Sequence, residues 1–190
     1  MRFRVPEERR TLFPEPNTLE ERYLNAIHLV DQQLEDFFAE VRKRDWLRDA
    51  LIVVTGDHSF PTGLHGIEFN EVGYYDESFR VPFLMLWPGQ IAPQVVEDFE
   101  ASQLDIAPTI LDALGLLPKE HHFYGQSILS TEKRRPVPLV QPYNGEYVGA
   151  VQNGLKYLKR RRTGEELAFD LRHDPDEHDN LLRGARSSVN

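Results

Sequence analysis

The sequence predicts an α/β fold, in which part of a mixed or parallel sheet with flanking helices is followed by a small antiparallel sheet. Three observations carry this. A long amphipathic helical repeat runs into a short, continuous run of apolar and β-branched residues; a second such run precedes a shorter helical repeat; and the last third of the chain changes to short runs separated by turn residues. At 190 residues and 40% hydrophobic content, the chain is long enough for a real core, since a domain of this size buries roughly 70% of its unfolded surface.

In chain order, residues 1–17 carry three prolines and mixed charge and read as an irregular lead-in. Thr18 followed by Glu21 makes a capping box, and Tyr23, Ile27, Val30, Leu34, Phe37, Phe38 and Val41 recur at helical spacing, which predicts a helix from Leu19 to Lys43. Trp46 and Leu47 close it. Ala50 to Thr55 then reads as a strand buried on both faces. The aperiodic stretch from Gly56 to Ser78, rich in Gly, Asp, His and Glu, has the composition of a functional loop at the C-terminal edge of a parallel sheet.

Val81 to Trp87 reads as a second buried strand that stops at Pro88-Gly89. Gln103 to Leu114 reads as a shorter helix, with Pro108 early enough to be tolerated. Beyond Leu117, short strands are predicted at 137–140, 147–152, 155–160 and 166–171, closed by a short terminal helix. The expected domains are therefore a lead-in (1–17), an α/β core (18–130) and an antiparallel subdomain (131–190).

Composition removes several function classes. A net charge of -9 and a pI near 5.3 argue against nucleic-acid binding, which needs a clustered basic surface. With no cysteine, disulfides, zinc-thiolate sites and thiol catalysis are excluded. No stretch approaches 18 consecutive apolar residues, so no membrane segment is expected, and the first ten residues lack the apolar run of a secretion signal.

Asp57 and His58 directly follow a predicted strand, where a carboxylate oxygen and an imidazole nitrogen can reach a common divalent ion. Taken alone, an Asp-His pair after a strand is more often a cap or turn feature. Seven residues on, His65 lies between Gly63 and Gly66, whose lack of side chains would let the backbone approach a bound anion. His65 could donate to a tetrahedral oxyanion. Tyr75, Asp76, Glu77 and Arg80 could line a pocket, but an Arg before a Val-Pro strand reads better as the structural partner of a carboxylate, so these four stay off the catalytic list. His121 and His122 read as solvated surface, and Lys159 to Arg162 as a solvated hairpin tip.

The order of these features resembles the sulfatase family of the alkaline phosphatase superfamily. Ile-Val-Val-Thr-Gly-Asp-His at 52–58 precedes Tyr-Asp-Glu-Ser-Phe-Arg-Val-Pro-Phe at 75–83 and Trp-Pro-Gly at 87–89. Leu-Asp-Ile-Ala-Pro-Thr-Ile-Leu at 104–111 is similar to the family's D-x-x-P-T helix, and Gly-Gln-Ser-Ile-Leu follows at 125–129. The tail from Glu166 to Leu181 looks like the family's last strand and its D-P-x-E-x-x-N-L signature.

The resemblance implies an alkaline-phosphatase-like fold, with Asp57 and His58 as the late ligand pair of one divalent metal ion (Ca, Mn, Mg or Zn). It implies that His65 is the catalytic histidine set against the substrate or its leaving group, and that the substrate is a small anionic sulfate or phosphate ester. An extracytoplasmic location is also implied. Two features depart from the family pattern. No C/S-x-P-x-R nucleophile element is present, and Ser59-Phe-Pro-Thr-Gly lacks the arginine and follows the metal pair, so it reads as a loop. Asn70 and Glu71 also stand where many sulfatases place a lysine.

The missing lysine leans toward the phosphoglycerol and phosphoethanolamine transferases, lipoteichoic acid synthases among them, while Tyr-Asp-Glu-Ser and the tail lean back toward sulfatases. The expectation is thus the C-terminal portion of a metal-dependent hydrolase or transferase, inactive alone, that self-associates through an incomplete sheet. A sulfatase-like module serving binding or assembly without catalysis is the alternative.

Overall fold

The structure, a computed structural model, describes residues 11–69, 73–97, 99–144 and 146–183. The chain forms two compact units, Met1–Gln94 and Val95–Asn190.

The first unit opens with helix α1, Leu19–Arg42. It starts where the sequence predicts because Thr18 Oγ1 accepts from the Glu21 backbone while the Glu21 carboxylate accepts from Thr18, which satisfies amides left without intrahelical partners. Asn25 is the buried residue of this helix. Its side chain grips the Phe13 backbone from both sides, accepting at 2.9 Å and donating at 2.8 Å, and so ties the lead-in to the helix.

Strands β1 (Ile52–Thr55) and β2 (Phe83–Leu86) pair antiparallel, with Ile52 opposite Leu86 and Thr55 opposite Phe83. A parallel neighbour would need a crossover packed back on the sheet, whereas residues 56–82 contain one helical turn among the described residues, α2 (Asp76–Phe79). The excursion that leaves Thr55 and returns at Phe83 therefore begins and ends at one edge of the ribbon. The two-sided burial expected for these strands is not found: β1 is half-buried, and Phe83, Leu84 and Leu86 are each more than a third exposed. Apolar composition selects the strand conformation, but a two-stranded ribbon has no layer on either face to complete its burial.

In the second unit, Ser102 caps a turn of 3₁₀ helix that runs into α3 (Ile106–Ala113), with Pro108 in its first turn as expected. Strands β3 (Val137–Gln141), β4 (Tyr147–Gln152), β5 (Leu155–Arg160) and β6 (Glu166–Asp170) form an antiparallel sheet in sequence order. Val137, Leu139, Tyr147, Leu158, Leu167 and Phe169 make its core. Asn153 and Gly154, both at positive φ, form the two-residue turn between β4 and β5, the twist-matched hairpin connection.

Lys156 shares the buried face of β5 with Leu158. Its ammonium lies 2.6 Å from Glu177 Oε1, both side chains being at most 1% exposed. The basic hairpin tip is exposed and paired with carboxylates, Arg162 to Glu146 at 2.8 Å and Lys159 to Glu166 at 3.1 Å. The terminal helix expected after the last strand does not form in residues 171–183, which are turns pinned by Asp174 and Asn180 side chains; residues 184–190 lie outside the described residues. No helix among the described residues is long and apolar enough to cross a membrane.

Candidate active site

Asp57 and His58 sit immediately past the last residue of β1. The His58 amide donates to Asp57 Oδ1 at 2.9 Å, which turns the chain out of the strand and fixes the carboxylate beside the ring. His58 Nδ1 lies 2.8 Å from the Ser59 carbonyl oxygen. A carbonyl can only accept, so Nδ1 carries the hydrogen and the neutral ring keeps its lone pair on Nε2. That nitrogen lies 3.8 Å from Asp57 Oδ2, and both side chains are well exposed, at 63% and 90%.

This is the donor set a divalent ion needs. Ligand bonds of roughly 2.0–2.2 Å put two donors on one ion roughly 3–3.4 Å apart, so these two atoms are within a few tenths of an ångström of a shared position. A backbone carbonyl held by the far ring nitrogen is the usual support of a metal-binding imidazole. Among the described residues, no group of three or more His, Asp or Glu side chains is arranged to hold a metal, so the pair supplies two donors and the rest of a coordination sphere lies elsewhere.

His65 is placed differently from the expectation. Gly63 and Gly66 adopt positive φ and close a turn in which the Gly66 amide donates to the Gly63 carbonyl at 2.9 Å. A Cβ at Gly66 would meet nothing within 4 Å, so these glycines shape a turn rather than an anion cradle. The His65 side chain is only 11% exposed. It stacks on Tyr75 with ring centroids 3.7 Å apart and 14° between planes, and Nδ1 lies 3.3 Å from Glu77 Oε2. That spacing is within ion-pair reach but lacks the alignment of a hydrogen bond, a common state of catalytic contacts before substrate binds.

Tyr75 and Glu77, kept off the catalytic list by the sequence reading, are thus the immediate neighbours of His65. The legible signal was their place in a single helical turn just before β2. Glu77 is also tied to the metal-ligand loop, because Ser59 Oγ donates to the Glu77 carbonyl at 2.9 Å. Ser59 is engaged as a loop anchor, in keeping with the reading of its segment as a loop. Arg80 stands exposed at the end of α2, its amide bonded to the Asp76 carbonyl. It forms no salt bridge with a carboxylate among the described residues, unlike the structural pairing expected of it. Asn70 and Glu71 lie outside the described residues.

The remaining motifs of the second unit hold structure. Buried Asp105 accepts from the Ser102 amide, the Gln126 amide and Arg134, at 2.9, 2.6 and 2.7 Å. Thr109 donates to the Asp105 carbonyl and accepts from the Ile128 amide. Gly125 is needed because a Cβ there would fall 2.1 Å from the Leu104 carbonyl oxygen.

Comparison with known proteins gives a consistent result. Residues 4–116 match the family model described as Sulfatase. Lipoteichoic acid synthase 2 of Bacillus subtilis is 30% identical over 157 residues, which cover 77% of this chain and 23% of that protein. The extracellular sulfatase SULF-1 homolog of Drosophila melanogaster is 34% identical over 113 residues, 60% of this chain and 10% of that protein. The chain thus spans less than a quarter of the length of either relative. Among solved structures, a 2-O GAG sulfatase superposes with a TM-score of 0.73 at 21% identity, over 90% of this chain and 39% of the other. At that identity the superposition speaks to the fold, which is the alkaline-phosphatase-like α/β fold.

Proposed function

We propose that this chain, which belongs to the sulfatase family, carries the late metal-ligand pair and the substrate-facing histidine of a hydrolase or transferase acting on sulfate or phosphate esters. The observation that carries this reading is the His58 ring, held through Nδ1 by the Ser59 carbonyl so that Nε2 lies 3.8 Å from Asp57 Oδ2. A solvated surface histidine has no need of that arrangement.

Asp57 and His58 would hold one divalent ion, Ca, Mn, Mg or Zn. When bound, it supplies positive charge against the ester oxygens. His65, backed by Glu77 and stacked on Tyr75, is held for contact with the ester or its departing oxygen. In its protonated form it gives a proton from Nε2 to that oxygen, while the Glu77 carboxylate offsets the ring charge. Stacking on Tyr75 removes water from one face of the ring and limits its rotation.

These residues include no cysteine and no C/S-x-P-x-R element, so turnover by the 190-residue chain alone is not expected. An extracytoplasmic site of action is supported by the relative named as an extracellular sulfatase. Self-association is proposed through the β1–β2 ribbon, whose β2 side chains are exposed.

Titration with Mn²⁺ tests the reading: selective paramagnetic broadening of the His58 ring signals supports it, and their persistence at millimolar ion rejects it. Assays with aryl sulfate and phosphodiester substrates complete the test, since robust turnover by this chain would overturn the division of labour proposed.

A further inference from the structure

Ser59 and Glu77 are the two residues of the first unit that touch both halves of the candidate site. The Ser59 carbonyl oxygen fixes the His58 ring at 2.8 Å, and its hydroxyl donates to the Glu77 carbonyl at 2.9 Å. The Glu77 carboxylate in turn lies 3.3 Å from His65 Nδ1, with the two side chains 14% and 11% exposed. Both Glu77 oxygens are screened from solvent and accept no aligned hydrogen bond among the described residues. A carboxylate in that state is costly, and the facing Nδ1–H is the group placed to relieve it.

We propose that Glu77 and Ser59 are positioning residues that couple the two histidines through the single turn of α2. The Glu77 carboxylate sets the His65 tautomer, with hydrogen on Nδ1 and Nε2 presented to substrate. The Ser59 hydroxyl, anchored on the Glu77 backbone, holds the peptide group whose oxygen sets the same tautomer in His58. Each imidazole is thereby oriented through its far nitrogen, the arrangement that fixes catalytic and metal-bound histidines generally. The role of His58 and His65 rests on the function proposed above, but the coupling rests on geometry alone.

Long-range ¹H–¹⁵N spectra of the full 190-residue chain, recorded well above the pH range in which imidazoles protonate, read each tautomer directly. In the native sequence both His58 and His65 are expected with hydrogen on Nδ1. Glu77→Leu removes the carboxylate but keeps the backbone carbonyl, so it should shift His65 toward hydrogen on Nε2 and leave His58 unchanged. Ser59→Ala should do the reverse and weaken Mn²⁺ binding at His58 by about tenfold, and Ser59→Thr should restore both.

Hydrogen on Nε2 in native His65, or two histidines that respond together to either substitution, would overturn the coupling without recourse to variants that fail to fold. The two ideas fail separately: absent Mn²⁺ broadening with both tautomers as expected sinks the metal reading and leaves the positioning roles standing.

Discussion

The buried pair of Lys156 and Glu177 gives the sharpest test of the second unit. Its atoms are 2.6 Å apart and its side chains at most 1% exposed, so neither charge keeps its water. Lys156→Met keeps the length of the side chain and deletes the ammonium, leaving a carboxylate with no counter-ion in the core. Breaking such a pair from one side costs about 3–5 kcal/mol, a large share of a total stability of about 5–15 kcal/mol. With a urea slope of about 2 kcal/mol per M, the midpoint should fall by roughly 2 M. Lys156→Met combined with Glu177→Leu should recover much of that loss, because two apolar groups need no compensation.

Both tryptophans, Trp46 and Trp87, lie outside the Val95–Asn190 unit, so tryptophan fluorescence would miss this transition. Amide signals of β5 and β6 followed through a urea series report it directly. A loss below about 1 kcal/mol for Lys156→Met, or a double variant less stable than either single one, would refute a fully desolvated pair.

Three further outcomes are expected. Gly125→Ala places a Cβ 2.1 Å from the Leu104 carbonyl oxygen and 2.6 Å from the Asp105 amide; backbone rather than a flexible tip must move, so thermal unfolding should show a loss of about 3 kcal/mol or more, and a near-neutral result would contradict the close approach. The Glu21 carboxyl is held below the usual glutamate range, chiefly by hydrogen bonds from the Asn17 and Thr18 amides. Its contribution to the start of α1 is therefore present above the unfolded value of about 4.3 and lost as pH falls through the lower folded value. The Asn17 and Thr18 amide shifts should titrate with a midpoint under that value, and one at or above it would count against the cap. Asp57→Asn retains shape and removes charge, so it should weaken Mn²⁺ binding at least tenfold while leaving the circular dichroism spectrum unchanged; unaltered affinity would exclude Asp57 as a ligand.

Much of this fold was legible because its signals are local. The Thr18–Glu21 cap acts within one turn, and the β3–β6 strands announce themselves by period-two burial between turn residues. What sequence could not give is set by partners distant in the chain. The apolar runs of β1 and β2 fix extended conformation but not direction or cover, so an antiparallel, half-exposed ribbon replaced the two-sided burial expected. Lys156 looks like any charged residue on a strand until Glu177, 21 positions on, is brought beneath it. Glu77 was passed over for the same reason, since its partners His65 and Ser59 lie 12 and 18 positions upstream.

The family-like motifs divide by what their polar atoms touch. In the second unit they turn inward: Asp105 and Thr109 clamp the start of α3 to residues 126–128, Glu177 neutralises a core lysine, and Asn180 accepts from the Ala168 amide. A substitution at any of these acts on folding and would lower activity only by lowering the amount of folded protein. In the first unit the Asp57 carboxylate and the His58 ring are instead turned to solvent while their orientation is fixed from behind. Exposed groups held that firmly contribute little to stability, and the cost of ordering them is justified only by something they bind. Substitutions at Asp57 and His58 should therefore change ligand binding at nearly constant stability, the opposite of the pattern expected at Asp105 or Glu177. A scan reading both quantities would separate chemistry from scaffold without knowledge of the substrate.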